Sequence, residues 1–464
     1  MALTGAFAGF AACVAGAWPS VAFGQRGSLS GQVLDREANA PLPFSGVSIL
    51  GQSAERLTGS DGRFQIADLA PGAVHVRVRR VGFSPVDTQI VIRPSETTEL
   101  AIHLTHIVVR LAAVQVTDEL CTRPGAPSVA DANLATVFEQ LTLNAEQFSL
   151  IGKQYPFNSI FDRYYGQVIE TPPRARGDSV MAKFDTTEVI TRADTVVIRS
   201  DRPWKYKPGE VVVEAGLSAM GIRYGVVIPN LAVFADAGFI KNHCFEDAGQ
   251  VTLEGETLRR IDFRASAKIH DADLDGSIYL DPTTFVIRRS EISLSKPSEH
   301  ANAYASIGVE TIFDELVPGV PIITRTNGRN TRTTASALDA SRGLEKGQLE
   351  IAEVEQQRAR ELRFVHGAPP GVAQSIHLSR LLGVFDGENG EPMAGVTVRD
   401  SASGKTAHTS VTGTVGLSFI PRSSAVVIIE HPGYQREVAP VSLTMRDSVP
   451  ITIVLQRSRP PAPH

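Results

Sequence analysis

The feature that most constrains the fold is an internal repeat between the two ends of the chain. Four anchor residues of the N-terminal part return near the C-terminus: Asp35, Gly46, Gly82 and Ile102 as Asp386, Gly395, Gly433 and Ile453. The offset stays between 349 and 351, so a shared fold explains the pattern better than chance does. Two copies this far apart indicate two separate domains rather than the stacked units of a solenoid.

The first copy, residues 31–116, has the pattern of a small β-sandwich. Short segments with alternating apolar residues are separated by turn signals. In one turn, Asp61 can bond its own backbone and Gly62 can take a positive φ. The period of two places Val74, Val76 and Val78 on the core face and His75, Arg77 and Arg79 outward.

The order of these motifs carries a resemblance. Gly-x-Val-x-Asp, Pro-Leu-x-x-x-Gly-Val-x-Ile, Ser-Asp-Gly-Arg-Phe, Leu-x-Pro-Gly and Val-Gly-Phe together resemble the carboxypeptidase regulatory-like domain. The resemblance implies a seven-stranded, transthyretin-like sandwich, also described as carbohydrate-binding-like, which is itself non-catalytic. Such domains are attached to secreted peptidases and precede TonB-dependent outer-membrane receptors. The segment 111–117 is similar to the one that follows the domain in those receptors.

The second copy departs from the motif order at one place. We expect the Asp-Gly-Arg-Phe turn to be replaced by the segment 415–419, Val-Gly-Leu-Ser-Phe. The predicted fold class is mainly β, with two small sandwiches flanking an antiparallel, β-rich α+β middle domain. The predicted units are a signal peptide (1–24), a first sandwich (28–117), a middle domain (118–375) and a second sandwich (378–457).

The N-terminus predicts export. Residues 1–24 are uncharged, rich in Ala, Gly, Phe and Val, and end in small residues, as a secretory signal does. A lipoprotein signal with Cys13 as the lipidated residue is the alternative. After removal of the leader, Cys121 and Cys244 remain in an oxidising compartment, where they can form one disulfide or stay as two thiols.

The middle region predicts one helix followed by antiparallel strands. Apolar residues fall at helical spacing within 131–150, and alternating segments with short turns follow from 180 to 326. The hairpin 276–289 resembles that of the outer-membrane lipoprotein carrier superfamily. That resemblance implies an incomplete β-barrel over a helix, which can shelter a lipid or an acyl chain.

Several side chains of the middle region are candidate ligand contacts. Asp271, Asp273 and Asp275 precede Gly276 in the spacing of a calcium loop, but the twelfth position is Pro282, so an acidic hairpin tip is the stronger interpretation. Trp204 and Tyr206 are candidates for a sugar or partner ledge, or for packing on their own domain. A basic stretch predicts an exposed loop or edge hairpin at Arg325, Arg329, Arg332 and Arg342.

The charges and motifs exclude several functions. Forty-five basic and 50 acidic residues are too balanced for a nucleic-acid binder, and the sequence has no His-Glu-x-x-His motif. We predict no catalytic residue, no metal and no cofactor. The favoured function is non-catalytic binding or scaffolding at the cell envelope, with an envelope protein or polysaccharide as partner. The alternatives are a periplasmic lipid or acyl carrier, an accessory component of an outer-membrane receptor or transport system, and an enzyme of unrecognised type.

Overall fold

The structure is a computed structural model that describes most of the chain after the leader. The described residues are 26–52, 55–108, 120–128, 131–171, 185–202, 204–218, 221–227, 231–253, 256–301, 304–332, 350–378, 381–402, 404, 406–417, 424–442 and 451–458. They form a mainly β protein, which confirms the predicted fold class.

The N-terminal part is a two-layer sandwich of seven strands. They are β1 (Gly27–Asp35), β2 (Gly46–Ile49), β3 (Glu55–Leu57), β4 (Arg63–Leu69), β5 (Gly72–Arg79), β6 (Val86–Ile92) and β7 (Thr97–Leu104). One sheet has the order β4-β1-β7 and the other β3-β2-β5-β6. Strands β1 and β7 pair in parallel, and the other described strand pairs of this sandwich are antiparallel. Val74, Val76 and Val78 face the core as predicted, because side chains alternate along β5.

The middle part is one long antiparallel sheet with helices on it. Its elements are α1 (Ala132–Gln154), β8 (Phe157–Thr171), β9 (Asp185–Arg199), β10 (Val212–Ser218), β11 (Gly221–Val226), a 3₁₀ helix (Leu231–Ala235), α2 (Ala237–Asn242), β12 (His243–Leu253), β13 (Glu256–Ala265), β14 (Leu274–Leu280), β15 (Ile287–Leu294), α3 (Pro297–His300), β16 (Tyr304–Val317), β17 (Val320–Arg332), β18 (Glu350–Phe364) and β19 (Ser375–His377). The sheet order is β12-β13-β14-β15-β16-β17-β18-β8-β9, with β19 paired to β18 and β10 to β11 in a separate hairpin.

Helix α1 packs against one face of this sheet. It begins where the Asp131 carboxylate accepts the Leu134 amide, so a free N–H of the first turn is capped. Val137 and Leu141 are fully buried in the same cluster as Phe263 and Ile278 of the sheet. The predicted helix is confirmed and is four residues longer than expected at its C-terminal end.

The C-terminal part repeats the first sandwich strand for strand. Its strands are β20 (Leu381–Asp386), β21 (Thr397–Asp400), β22 (Thr406–His408), β23 (Thr414–Gly416), β24 (Ser424–Glu430), β25 (Glu437–Ser442) and β26 (Ile451–Leu455). The sheets are β23-β20-β26 and β22-β21-β24-β25, and β20 pairs with β26 in parallel. Equivalent bridges join Leu34 to Pro41 and Phe385 to Pro392, an offset of 351.

Two expectations are wrong. The tight turn of the second sandwich lies at Gly413, whose φ of 69° and contacts match those of Gly62, and not at 415–419. The equivalent turn therefore survives with Thr412 in place of Asp61. The basic stretch is not a loop either, because Arg325, Arg329 and Arg332 lie in β17 inside the long sheet. Arg342 lies outside the described residues.

Candidate binding surfaces

The sequence-predicted site residues of the middle region meet in its core. The Tyr206 hydroxyl donates to Asp273 Oδ2 at 2.6 Å, and both side chains are buried. Burial raises the pKa of Tyr206, and the hydrogen bond to the Asp273 carboxylate raises it further. Trp204 stands edge-on to Tyr206, with ring centroids 6.2 Å apart, and packs against the core. This geometry favours packing over a solvent-facing ledge.

Next to this pair, a buried histidine connects two elements. His243 Nδ1 lies 2.7 Å from the Phe239 carbonyl oxygen, and Nε2 lies 3.0 Å from that of Leu274. The ring stacks on Phe239 with centroids 4.0 Å apart and lies 3.5 Å from Asp273 Oδ1. Sequence reasoning missed His243, because an isolated histidine at a strand start carries no pattern.

The three aspartates do not converge on one point. The Asp273 carboxylate also accepts the Leu274 amide, whereas Asp275 accepts the Ala265 amide at 2.7 Å. Burial raises the pKa of Asp275. Asp271 is exposed beside Gly209. Within the described part of the chain, no group of three or more His, Cys, Asp and Glu side chains is placed to hold a metal ion. Asp273 and Asp275 bond backbone amides of their own region.

A disulfide joins Cys121 to Cys244, with the sulfurs 2.15 Å apart. It fixes the connection that follows the first sandwich to β12, an edge strand of the long sheet. Two backbone hydrogen bonds support the same contact, from Ala267 N to Cys121 O and from Gly125 N to His243 O. The bridge therefore links two residues of the middle region that are 123 positions apart in the sequence.

The first sandwich docks on α1 through a ladder of three glutamines, seven residues apart. Each side chain bonds backbone groups of the first sandwich, Gln140 and Gln147 in its loops and Gln154 on both ends of β3. The bonds are Gly82 N to Gln140 Oε1 (2.7 Å), Gln147 Nε2 to Phe44 O (3.3 Å), Gln154 Nε2 to Glu55 O (3.1 Å) and Leu57 N to Gln154 Oε1 (3.4 Å). Asn144, on the same helix, bonds Phe285 O and Ile287 N of the sheet. Buried backbone groups need hydrogen-bond partners, and the side-chain amides of α1 supply them. These bonds connect the first sandwich, α1 and the long sheet. The spacing of 140, 147 and 154 is the sequence signal that would have found the ladder.

Around the ladder, the docked edge of the first sandwich is apolar. Phe44 and Leu57 are buried with Ile151 of α1, and Val81 belongs to the core of the long sheet. At the rim, Arg79 Nη1 donates to Glu146 Oε2 at 2.5 Å. This edge of the first sandwich is therefore an interface inside the chain.

The second sandwich carries different residues at the same places. The structural counterpart of Gly395 is Phe44, because both amides bond the equivalent threonine carbonyl, so the pairing of Gly395 with Gly46 expected from the motifs is wrong. The edge positions hold Gly395, His408 and Pro432, all exposed, where the first sandwich has Phe44, Leu57 and Val81. Five outward positions change the other way, from Ser30, Ser60, His75, Asp87 and His103 to Leu381, Val411, Val426, Val438 and Val454. The five aliphatic side chains are 41–86% exposed. At these five positions the second sandwich is apolar where the first is polar, while the first exposes Leu50 and Val91 where the second has serines.

The helix-covered face of the long sheet is polar at its other end. Arg332 donates to Glu353 Oε1 at 3.0 Å and to Tyr304 Oη at 2.9 Å, and Tyr304 Oη donates to Glu353 Oε2 at 2.7 Å. Arg332 also bonds Ile222 O, so this buried network holds the β10–β11 hairpin against the sheet. Arg332, which the sequence placed in an exposed loop or edge hairpin, is therefore a buried residue that connects the long sheet to the β10–β11 hairpin.

With this geometry in view, comparison with known proteins identifies one region. Residues 28–105 match the carboxypeptidase regulatory-like domain. The N-terminal sandwich is a carboxypeptidase regulatory-like domain. The match confirms the resemblance drawn from its motifs, and the second sandwich repeats the topology of that domain. No curated protein matches the chain.

Among solved structures, three similarities bear on the two kinds of region. The minor pilin GBS52 of Streptococcus agalactiae is 14% identical over 20% of this chain and 49% of its own, about half its length, with a TM-score of 0.17. A DUF1329 family protein of Desulfovibrio piger is 12% identical over 50% and 93%, with a TM-score of 0.23. A domain of Vibrio parahaemolyticus described as an outer membrane lipoprotein-sorting protein is 10% identical over 49% of this chain and 95% of its own, with a TM-score of 0.22. At these scores the three similarities carry no argument about the fold or the function of this chain.

Proposed function

We propose that this chain is an exported, non-catalytic binding or scaffolding protein of the cell envelope. Its partner in this proposal is an envelope protein or polysaccharide. The three predicted units have different roles: the sandwich 28–117 is fixed to the middle domain 118–375, and the sandwich 378–457 presents the binding surface.

The contrast between the two sandwiches carries the proposal. The first has its apolar edge covered by α1, so it acts as part of the middle body. The second keeps several aliphatic side chains in solvent, at positions where its twin has polar ones. Exposed aliphatic side chains at positions where the same architecture accepts polar ones favour an interaction surface on the second sandwich.

The disulfide supports the export part of the proposal. Structural disulfides persist in oxidising compartments and are rare in the reducing cytosol. Cys121 and Cys244 are bridged, and the uncharged leader 1–24 has the composition of a secretory signal. Across the described residues, no helix has the length and hydropathy needed to cross a membrane.

The covered face of the long sheet favours binding over carriage of an acyl chain. Near one end of the sheet, Val137 and Leu141 of α1 fill that face together with aromatic side chains. Near the other end, the buried charges of Arg332 and Glu353 line it. An acyl chain on this face would have to displace the packed apolar side chains or lie against the buried charges of Arg332 and Glu353. Both cost free energy.

Site-specific photo-crosslinking in the producing cell tests the proposal. The crosslinker replaces Val454 of the second sandwich or, as the matched control, its counterpart His103 of the first. We expect a discrete adduct with an envelope protein from position 454 and none from position 103. A glycan array with the full chain forms the second arm. Equal labelling from both positions, together with no glycan binding, would contradict the proposal.

A further inference from the structure

The buried ring of His243 meets a hydrogen-bond acceptor at each of its two nitrogens. Nδ1 lies 2.7 Å from the Phe239 carbonyl oxygen of α2, and Nε2 lies 3.0 Å from the Leu274 carbonyl oxygen of β14. A carbonyl oxygen can only accept, so a hydrogen bond on both sides requires an N–H at both nitrogens. A neutral imidazole has one N–H, whereas the imidazolium has two. The geometry therefore matches the protonated form of the ring.

The neighbouring Asp273 carboxyl group supplies the matching negative charge. Its Oδ1 accepts the Leu274 amide at 2.9 Å, and its Oδ2 accepts the Tyr206 hydroxyl at 2.6 Å. Asn242 Nδ2 donates to the Tyr206 oxygen at 3.4 Å, so the hydroxyl proton is directed at Asp273. A carboxyl group that accepts at both oxygens matches the ionised form. Asp273 Oδ1 lies 3.5 Å from His243 Nε2, and no Lys or Arg among the described residues pairs with it.

Burial makes each of these two charges depend on the other. The side chains of His243 and Asp273 are 0% and 1% exposed. A buried charge without a partner is costly, whereas a buried pair is tolerated when its remaining hydrogen bonds are made. The ring of Phe239, stacked on His243 with centroids 4.0 Å apart, also favours a cation at this place.

Other charged groups lie on the elements packed around the ring. They are Asp275 of β14, Arg264 of β13, Glu246 of β12, Asp236 and Lys241 of α2, and Arg123 of the segment 120–128. Arg264 and Glu246 pair with each other at 3.6 Å, and Asp236 bonds the first amides of α2. Lys241 and Arg123 are exposed, and Asp275 adds a second negative charge on the side of β14. Asp273 is therefore the carboxylate in ion-pair contact with the ring.

We propose that His243 is a buried imidazolium and that its second proton makes a pH-dependent link between α2, β12 and β14. Loss of that proton leaves one of the two carbonyl oxygens without a donor and the Asp273 carboxylate without a counter-charge. The folded protein then holds the proton more tightly than the unfolded chain does. The link is fully present below about pH 6.5, where an ordinary histidine is protonated, and is lost as the pH rises. This inference does not depend on the proposed envelope partner.

NMR titration of the ring nitrogens in the full, disulfide-bonded chain tests the protonation state. We expect both nitrogens of His243 to carry protons at about pH 7.5, one unit above the value at which an ordinary histidine is half neutral. Asp273→Asn removes the counter-charge and should move the loss of the proton to lower pH by about one unit or more. Asp271→Asn, which removes an exposed carboxylate of the same region, is the matched control and should leave the titration unchanged.

Two outcomes of the titration overturn the inference. One is a single protonated nitrogen at about pH 7.5 in the unchanged chain. The other is a folded Asp273→Asn variant in which His243 titrates as it does in the unchanged chain. If Asp273→Asn does not fold, the titration of the unchanged chain still decides.

Hydrogen exchange of backbone amides measures the link itself. The Ile240 amide bonds within α2, and the Gly125 amide donates to His243 O at 2.9 Å. Their protection factors, corrected for the intrinsic exchange rate, should fall about tenfold per pH unit above about pH 6.5 and level off once the folded protein has lost the proton. The Val33 amide, bonded to Gly62 O in the first sandwich, is the internal reference and should keep its protection. Protection at Ile240 and Gly125 that follows Val33 over the whole pH range would contradict the link.

Discussion

The two sandwiches share one strand order at a constant offset of 351, yet each exposes and buries different parts of it. The first buries an edge formed by Phe44, Leu57 and Val81 against α1 and the long sheet. The second leaves that edge in solvent and carries aliphatic residues on its outer faces instead. Both keep the same inward alternation. The comparison teaches that inward positions define the sandwich, whereas outward positions decide which surface becomes an interface.

The largest effect is expected where the two copies differ most, at Phe44. Phe44 is 3% exposed in a cluster shared with α1 and the long sheet, and its φ is +56°. Phe44→Ala should lower the free energy of unfolding by about 3–5 kcal/mol, because it leaves a cavity between the sandwich and α1. Urea denaturation measures the loss.

The matched substitution in the second sandwich is Gly395→Ala. Gly395 has a φ of +72° and open space around it, so alanine there should cost only about 1 kcal/mol. Equal losses at positions 44 and 395 would mean that the first sandwich is not docked through this edge.

A second substitution tests what the copies share. A Cβ at Gly62 would lie 2.7 Å from Val33 O, and one at Gly413 would lie 2.7 Å from Val384 O. Both glycines also have a positive φ. Gly62→Ala and Gly413→Ala should therefore each cost about 3 kcal/mol in thermal or urea unfolding. Gly390→Ala, with a φ of +72° and no neighbour within 4 Å, is the control and should cost about a third as much. A tolerated Gly413→Ala would break the equivalence of the two turns.

The sequence predicted the sandwiches better than it predicted their surroundings. Inward alternation, as at Val74 to Val78, is a local signal and was sufficient for β5. The docking glutamines were missed because they bond backbone groups of a different unit, between 58 and 103 positions away. The periodicity of apolar residues within one segment carries no information about a contact with a distant unit. The interpretation of 415–419 failed because the equivalent glycine, Gly413, has no Asp before it.

Two long strands, β8 and β18, also escaped sequence reasoning. β18 contains Glu-Val-Glu-Gln-Gln-Arg-Ala-Arg-Glu-Leu, which is rich in residues that favour helices, but it pairs on both sides inside the long sheet. Tertiary pairing outweighs that local preference. The sequence singled out Tyr206 and Asp273 separately. It did not predict their contact, which joins residues 67 positions apart. The first residues of the predicted strand region, 180–184, lie outside the described residues.

A smaller effect tests a hydroxyl that both copies keep. Thr58 Oγ1 accepts from Ser45 N and donates to Leu42 O, both at 2.9 Å; Thr409 Oγ1 does the same with Val396 N and Met393 O, at 2.9 and 2.6 Å. Thr58→Val and Thr409→Val should each cost about 1–3 kcal/mol, because each leaves a buried amide without its hydroxyl partner, while Leu42 O keeps the Ser45 hydroxyl. Exposed Thr406→Val should stay within about 0.5 kcal/mol. A large loss in only one sandwich would show that the loops are held differently.

The smallest effect separates the copies by acid sensitivity at one corner. The Tyr434 hydroxyl donates to Asp386 Oδ2 at 2.5 Å, and this bond, with the Glu388 amide and Arg457, lowers the pKa of Asp386 to about 2. In the first sandwich burial raises the pKa of Asp35, but the Ala38 and Glu37 amides and His106 outweigh it and lower the pKa; Phe83 supplies no hydroxyl.

A carboxyl with a lowered folded pKa stabilises the fold above its unfolded pKa of about 3.9, and this stabilisation is lost as the pH falls through the folded pKa. The contribution of Asp386 should therefore disappear between about pH 4 and pH 2. Tyr434→Phe, which copies the first sandwich, should raise the pKa of Asp386 and move the loss to higher pH. NMR titration of the Asp386 carboxyl carbon measures the shift, with Asp35 as the internal reference. An unchanged Asp386 titration in Tyr434→Phe would assign the lowered pKa to Arg457 and the backbone amides, and the two corners would then differ in geometry but not in acid response.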